Sequence, residues 1–228
     1  MSAISEPEPP TMRERYRAQV RQEVKERALR QLAEAGPGGL SISAIGKQLG
    51  VSGPALYRYF ASRDDLLTEL VIDAYHDLAN ALAAATSHAP DDHPRNRFEA
   101  LARAYRRWAR AEPHRYRLLF GPPLPGYEAH ARRLVAASWA AMDLLLDVLR
   151  GFTAGAAEPS GPLAAELTAW AHHHDSGIDA ATALRAVLVW SQLHGIVSLE
   201  IAGSFASMSI DADQLFEIQL SAITATLR

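Results

Sequence analysis

Between Ser41 and Leu67 the chain reads SISAIGKQLGVSGPALYRYFASRDDLL, which gathers Lys47, Tyr57, Arg58, Tyr59 and Arg63 into a few turns. Phenol hydroxyls and cations at this density suit contacts to phosphates and base edges. Two short helices across a tight turn must position them. The first runs from about Ser43 to Leu49, with Ser41 placed as its cap. Gly50 follows at the position where a left-handed terminus favours glycine. Ser52 caps a second helix that runs to Phe60, and Pro54 falls in its first turn, where proline is tolerated. Ile42, Ile45, Leu49, Val51, Leu56 and Phe60 supply the apolar contacts, because neither helix is long enough to stand alone. Gly53, Ala55, Tyr57, Arg58 and Tyr59 are left facing outward. On spacing alone this fits a helix-turn-helix entering a major groove, and it also fits a helical hairpin of an unrelated all-α domain.

The string GVSGPALYRYFASRDDLL closely resembles the DNA-binding signature of the TetR/AcrR family of transcriptional regulators. The resemblance rests on Gly50, Val51, Ser52, Leu56, Tyr57, Tyr59, Phe60, Arg63, Leu66 and Leu67, and it runs from the first helix to the fourth. Gly46 stands where the family usually has alanine, at a cost in helix propensity of about 1 kcal/mol, but keeps the two helices in close approach. Arg63 stands where lysine is commoner and would grip a phosphate as a fork. The resemblance implies double-stranded operator DNA as a partner. Ser52, Gly53, Pro54 and Ala55 would then lie close to the groove, with Tyr57 and Tyr59 reaching phosphates or thymine methyls. Ser41, Ser43, Lys47 and Arg63 would hold the backbone without reading sequence.

Composition supports a globular protein, since 48% of its 228 residues are hydrophobic. With no cysteine, disulfides and thiolate metal sites are excluded. No apolar run reaches the roughly 18 residues that a membrane span needs. MSAISEPEPPTM lacks the apolar core of a signal peptide, so residues 1–11 read as a disordered tail and the protein as cytoplasmic. The net charge of −3 hides an asymmetry: Thr11 to Arg63 carries ten Lys/Arg against four Glu, whereas residues 64–228 carry thirteen against twenty acids. A basic end on an acidic body is what a phosphate-facing surface requires.

The whole chain reads as α-helical, with no strand-length alternation. A helix from Met12 to Ala35 has a stripe of Tyr16, Val20, Val24, Ala28 and Leu32, with Arg13, Arg17, Arg21, Lys25 and Arg30 on its other side. Residues 12–62 form the helix-turn-helix domain, 63–86 a connecting helix, and 87–228 a larger helical domain for ligand binding and dimerisation. In that domain helices are expected over Phe98–Ala111, Pro113–Phe120, Tyr127–Leu149, Leu163–His174 and Asp179–Ala202. A last one starts at the capping pair Asp211 and Gln214. The stretch from Gly151 to Pro162 reads as mobile.

The helix from Asp179 is apolar nearly all round and must be covered on several sides. A second copy of the chain could cover it through a four-helix bundle at a two-fold axis, using Leu188, Ser191, Gly195 and Leu199 with Phe216, Leu220 and Ile223. A single core helix in a monomer is the alternative. The string Trp190, His194, Gly195, Leu199 and Glu200 resembles a W-x-x-x-H-G C-terminal subtype of the same family, which dimerises in this region. Tyr105, Trp108, Phe120, Trp139, Met142, Trp170, Trp190 and His194 are candidates for lining a pocket, although each also suits an ordinary core. The resemblance favours a pocket for a small-molecule effector.

His172, His173 and His174 point about 100° apart on a helix and cannot converge on one ion. No metal, cofactor or catalytic motif is legible. The expectation is therefore a homodimeric, ligand-responsive repressor on a pseudo-palindromic operator. A helical enzyme or ligand carrier, and a DNA-bound architectural protein without effector, remain as rivals.

Overall fold

The computed structural model describes residues 11–89, 93–121, 132–152, 158–174 and 177–227, and among these every regular element is helical. Residues 1–10 of the expected tail, the start of the helix expected at Tyr127, and the middle of the 151–162 stretch lie outside the described residues. Contacts divide the described chain into two units, one up to Val71 and the other from Ile72 onward.

The first unit opens with α1, Met12–Ala35, the span expected from periodicity. Thr11 and Glu14 close a capping box at its start. Only Val24 and Ala28 of its stripe are fully buried, and Tyr16 is exposed instead of packed. Helix α2, Ile42–Leu49, is capped by Ser41, whose hydroxyl accepts from Ala44 N at 3.3 Å, and ends on Gly50 at φ 66°. Helix α3 covers only Gly53–Leu56. Helix α4, Arg63–Ser87, begins on a reciprocal cap: Asp65 N donates to Ser62 Oγ at 3.0 Å, and Ala61 N donates to Asp65 Oδ2 at 3.0 Å. Its stripe of Leu66, Leu67, Leu70, Val71, Ala74 and Leu78 is buried throughout. The unit boundary, between Val71 and Ile72, falls inside this helix, nine residues after 62/63 and within the span expected to connect the domains.

The second unit holds residues 72–87 of α4 and seven further helices among the described residues: α5 Pro94–Ala111, α6 Pro113–Phe120, α7 Arg132–Leu149, α8 Gly161–His174, α9 Ala180–Ile201, α10 Ser204–Ser207 and α11 Ala212–Thr226. Helix α5 starts four residues earlier than expected because Pro94 occupies its first position, where the missing N–H costs nothing. Helix α9 is the axle, packed by α5, α7, α8, α10 and α11. By length and composition alone its 22 residues could cross a membrane, although Arg185, Gln192, His194 and Glu200 interrupt the apolar run. Its polar groups are engaged within this unit. Arg185 Nη1 donates to Leu149 O at 3.3 Å and Phe152 O at 2.7 Å, satisfying carbonyls at the end of α7.

Helix α11 reverses one expectation. Its cap is as read, with Asp213 N and Gln214 N donating to Asp211 Oδ1 at 2.9 and 3.1 Å. But Phe216, Leu220 and Ile223, assigned to a subunit interface, are 1%, 1% and 2% exposed in the chain's own core. The amphipathic stripe is real, but it packs on α5 and α9 of the same chain.

Candidate DNA-reading face and apolar cavity

Gly46 sets the approach of α2 to the reading segment. A Cβ there would come within 2.9 Å of Val51 O and 3.0 Å of Leu56 Cδ1, so hydrogen is the side chain this contact accepts without a shift. After α3 the chain tightens: Tyr59 N donates to Leu56 O at 2.8 Å, an i→i+3 bond. The reading helix expected from Ser52 to Phe60 is thus one α-turn followed by turns. Tyr57 and Tyr59 have weak helix propensity, and α1 ties down the carbonyls at the end of the segment. Arg21 donates to Tyr59 O, and Arg17 Nη2 donates to Arg58 O at 3.4 Å.

Arg21 and Lys25 therefore do not lie on a free basic face. The Arg21 guanidinium sits 4.4 Å from the Phe60 ring centroid, and Arg21 and Lys25 meet Glu69 of α4 at 3.3 and 3.1 Å. Periodicity alone could not show this, because the partners are 38 and more residues away. The outward groups are Ser43, Lys47, Ser52, Pro54 and Tyr57, the last 55% exposed, with Ala55 and Tyr59 half-buried beside them. Ser41 is occupied by its cap and by Ser43 Oγ at 3.0 Å, and Arg63 Nη1 lies 3.7 Å from Asp64 Oδ1. This face presents hydroxyls, an ammonium and a phenol, suited to phosphate and groove contacts.

In the second unit the helices line a partly open cavity of about 360 Å³. Six candidates line it: Tyr105, Phe120, Trp139, Met142, Trp170 and Trp190. Trp108 lies elsewhere, its indole Nε1 donating to Asp77 Oδ2 at 2.8 Å. Sequence reading missed Tyr75 and Leu82, which with Leu78 bring α4 to the cavity wall. Their i, i+3, i+7 spacing carried the signal.

His194 is not a wall residue but sits behind it. Its ring stacks on Trp190 one turn away at 5.5 Å, and Tyr116 and Phe120 rings lie 5.9 and 5.1 Å off. The Tyr105 and Tyr116 hydroxyls face Nδ1 at 3.3 and 3.1 Å. Burial pushes both phenols up, keeping them protonated, and pushes His194 down, favouring a neutral ring whose Nδ1 accepts. With the folded value below the ordinary 6.5, the unfolded chain takes the proton first. His194 thus stabilises fully above pH 6.5, and that contribution is lost as pH falls from 6.5 through the lowered value. Thermal midpoints should fall over this range, and the His194→Gln variant should show a flatter dependence than wild type.

Of the interface candidates, Leu188, Ser191 and Leu199 lie exposed on one side of α9 with Gly195 half-buried between them, and Ile218 on α11 is 67% exposed. Among the described residues no group of three or more His, Asp or Glu side chains is placed to hold a metal ion.

Comparison with known proteins agrees with both parts. The family described as "Bacterial regulatory proteins, tetR family" matches residues 26–70, and "Tetracyclin repressor-like, C-terminal domain" matches residues 98–223. The HTH-type transcriptional regulator Rv1816 of Mycobacterium tuberculosis is 32% identical over 218 residues, covering 92% of this chain and 93% of its own. Among solved structures, SCO4313, a proposed regulatory protein, is 40% identical with a TM-score of 0.78, covering 93% of this chain and 98% of its own. The regulator FadR from Bacillus subtilis, solved in complex with stearoyl-CoA, shares the fold at a TM-score of 0.62 and 13% identity, over 91% of this chain and 99% of its own. On a C-terminal match spanning more than half of its residues, joined to the helix-turn-helix match, the chain belongs to the TetR family of bacterial transcriptional regulators.

Proposed function

We propose that this regulator is a cytoplasmic, non-enzymatic homodimer that represses transcription from a pseudo-palindromic operator and releases it on binding a small molecule. Residues 12–62 read DNA, 63–86 connect, and 87–228 bind ligand and dimerise. The observation that carries this reading is that α4 serves both ends. Its Tyr75, Leu78 and Leu82 border the cavity, while its Glu69 holds Arg21 and Lys25 beside the reading segment. A ligand that shifts α4 would thereby act on the support of Tyr57 and Tyr59. It must bind the DNA-incompetent state more tightly, or nothing shifts.

The exposed row Leu188, Ser191 and Leu199 with Ile218 is the surface assigned to the second copy. The stack of Trp190 on His194 gives a physical role to two positions of the W-x-x-x-H-G string, to which subtype we assign the C-terminal half. The FadR neighbour, solved with stearoyl-CoA, is a precedent for a ligand in this fold.

The test is operator affinity in a mobility-shift titration with and without ligand. Tyr57→Ala should weaken specific binding by roughly tenfold to a hundredfold, from 1–3 kcal/mol of lost contact, while the dimer persists in sedimentation. Arg21→Ala should weaken it by about tenfold through misplaced turns, the loss of a charge-assisted bond of about 1.5 kcal/mol or more. A ligand-independent affinity across all compounds tried would favour a constitutive DNA-binding protein.

A further inference from the structure

The cavity walls define what can enter. Six aromatic side chains, Tyr75, Tyr105, Phe120, Trp139, Trp170 and Trp190, present ring faces and edges, and Met142 adds an adaptable thioether. Among the described lining residues there is no Asp, Glu, Lys, Arg or His. Two of the polar groups in the wall are already engaged: the Tyr105 hydroxyl faces His194, and Ser138 Oγ donates to Val135 O at 2.8 Å. A carboxylate or ammonium lodged here would give up its water without gaining a counter-charge, which is costly in a low-dielectric site. Size sets the second limit. An apolar cavity of about 150 Å³ accepts benzene, and the space here is about 360 Å³.

We infer that the effector is a neutral, largely apolar molecule of about two fused or linked rings, and that the cavity rejects the corresponding anion. This rests on the reading of the second unit as a ligand-binding domain. It also separates this chain from the stearoyl-CoA-bound FadR, because a coenzyme A group carries phosphates that need cations which these walls do not offer.

Three of the four tryptophans line the cavity, so intrinsic fluorescence of the full-length protein reports occupancy directly. The probes are 2-naphthalenemethanol, its carboxylate counterpart 2-naphthoate, and stearoyl-CoA. The alcohol should quench saturably, and the carboxylate should bind more weakly by about tenfold or more. Met142→Arg places a cation in the wall and should invert that order. Val187→Phe fills the space and should abolish quenching by the alcohol with helix content unchanged. Equal affinity for the two naphthalenes, saturation by stearoyl-CoA alone, or binding of no probe would overturn the inference. Operator affinity is measured on the same samples. Binding with the predicted selectivity but no effect on DNA would leave the cavity assignment standing and remove the ligand-responsive reading.

Discussion

Arg106→Ala should lower unfolding free energy by about 3–5 kcal/mol, the cost of removing one partner of a buried ion pair. The guanidinium grips Glu200 through two bonds, Nε to Oε2 and Nη2 to Oε1, both 2.7 Å. It also donates to Asp213 Oδ1 at 2.6 Å and lies 4.7 Å from the Phe216 ring centroid, so one side chain ties α5 to α9 and α11. Arg106 and Glu200 side chains are 10% and 12% exposed, and alanine would leave that carboxylate only the longer contact to Arg110 Nε at 3.5 Å. The thermal midpoint should fall by roughly 6–20 °C for a chain of this size. Arg106→Met with Glu200→Leu should recover much of that loss, because a packed apolar pair can replace a buried ionic one. Arg103 makes the contrast. It is also bidentate, to Glu217 at 3.1 and 2.9 Å, but Glu217 is half exposed, and Arg103→Ala should cost about 1 kcal/mol or less. Equal losses at Arg103 and Arg106 would show that burial does not govern these pairs.

Leu199→Asp combined with Ile218→Asp should yield a folded monomer whose operator affinity is about a hundredfold lower or worse. Both positions are exposed in the single chain, so the substitutions spare its core. Two carboxylates in an apolar interface would be desolvated unpaired. Losing the second subunit removes the intramolecular second half-site contact, which is worth roughly 10²–10⁴ in avidity. Sedimentation and mobility shift read the two consequences separately. A variant that stays dimeric would move the interface elsewhere. Leu220→Asp is not an equivalent test: with Leu220 1% exposed in the core, it would unfold the chain instead of parting two subunits.

The local signals proved legible to the residue. Ser41, Gly50 and the Asp211–Gln214 pair mark helix ends because caps are encoded within four positions of the chain. Periodicity likewise gave α1 its bounds and α4 its buried stripe. It could not say what a stripe packs against. Phe216, Leu220 and Ile223 form one apolar face, but a face meant for a partner and a face meant for α5 have the same period. Partners far apart in sequence were equally hidden. Arg21 with Tyr59, Trp108 with Asp77 and Arg106 with Glu200 are separated by 38, 31 and 94 residues, too far for periodicity to pair them. The residues expected to face DNA could be read as a group because they lie within one short stretch, where Ser43, Lys47, Ser52, Pro54 and Tyr57 are exposed together. Six of the eight cavity candidates came through because large aromatics on apolar helices turn inward whether they line a space or fill it.

The most direct test of a dimeric, sequence-specific regulator is selection of bound fragments from the source genome by the purified protein near physiological salt. The account predicts enrichment of a short inverted repeat whose half-sites lie about 34–36 Å apart or slightly more. Uniform recovery of fragments, with affinity that simply tracks salt concentration, would contradict it.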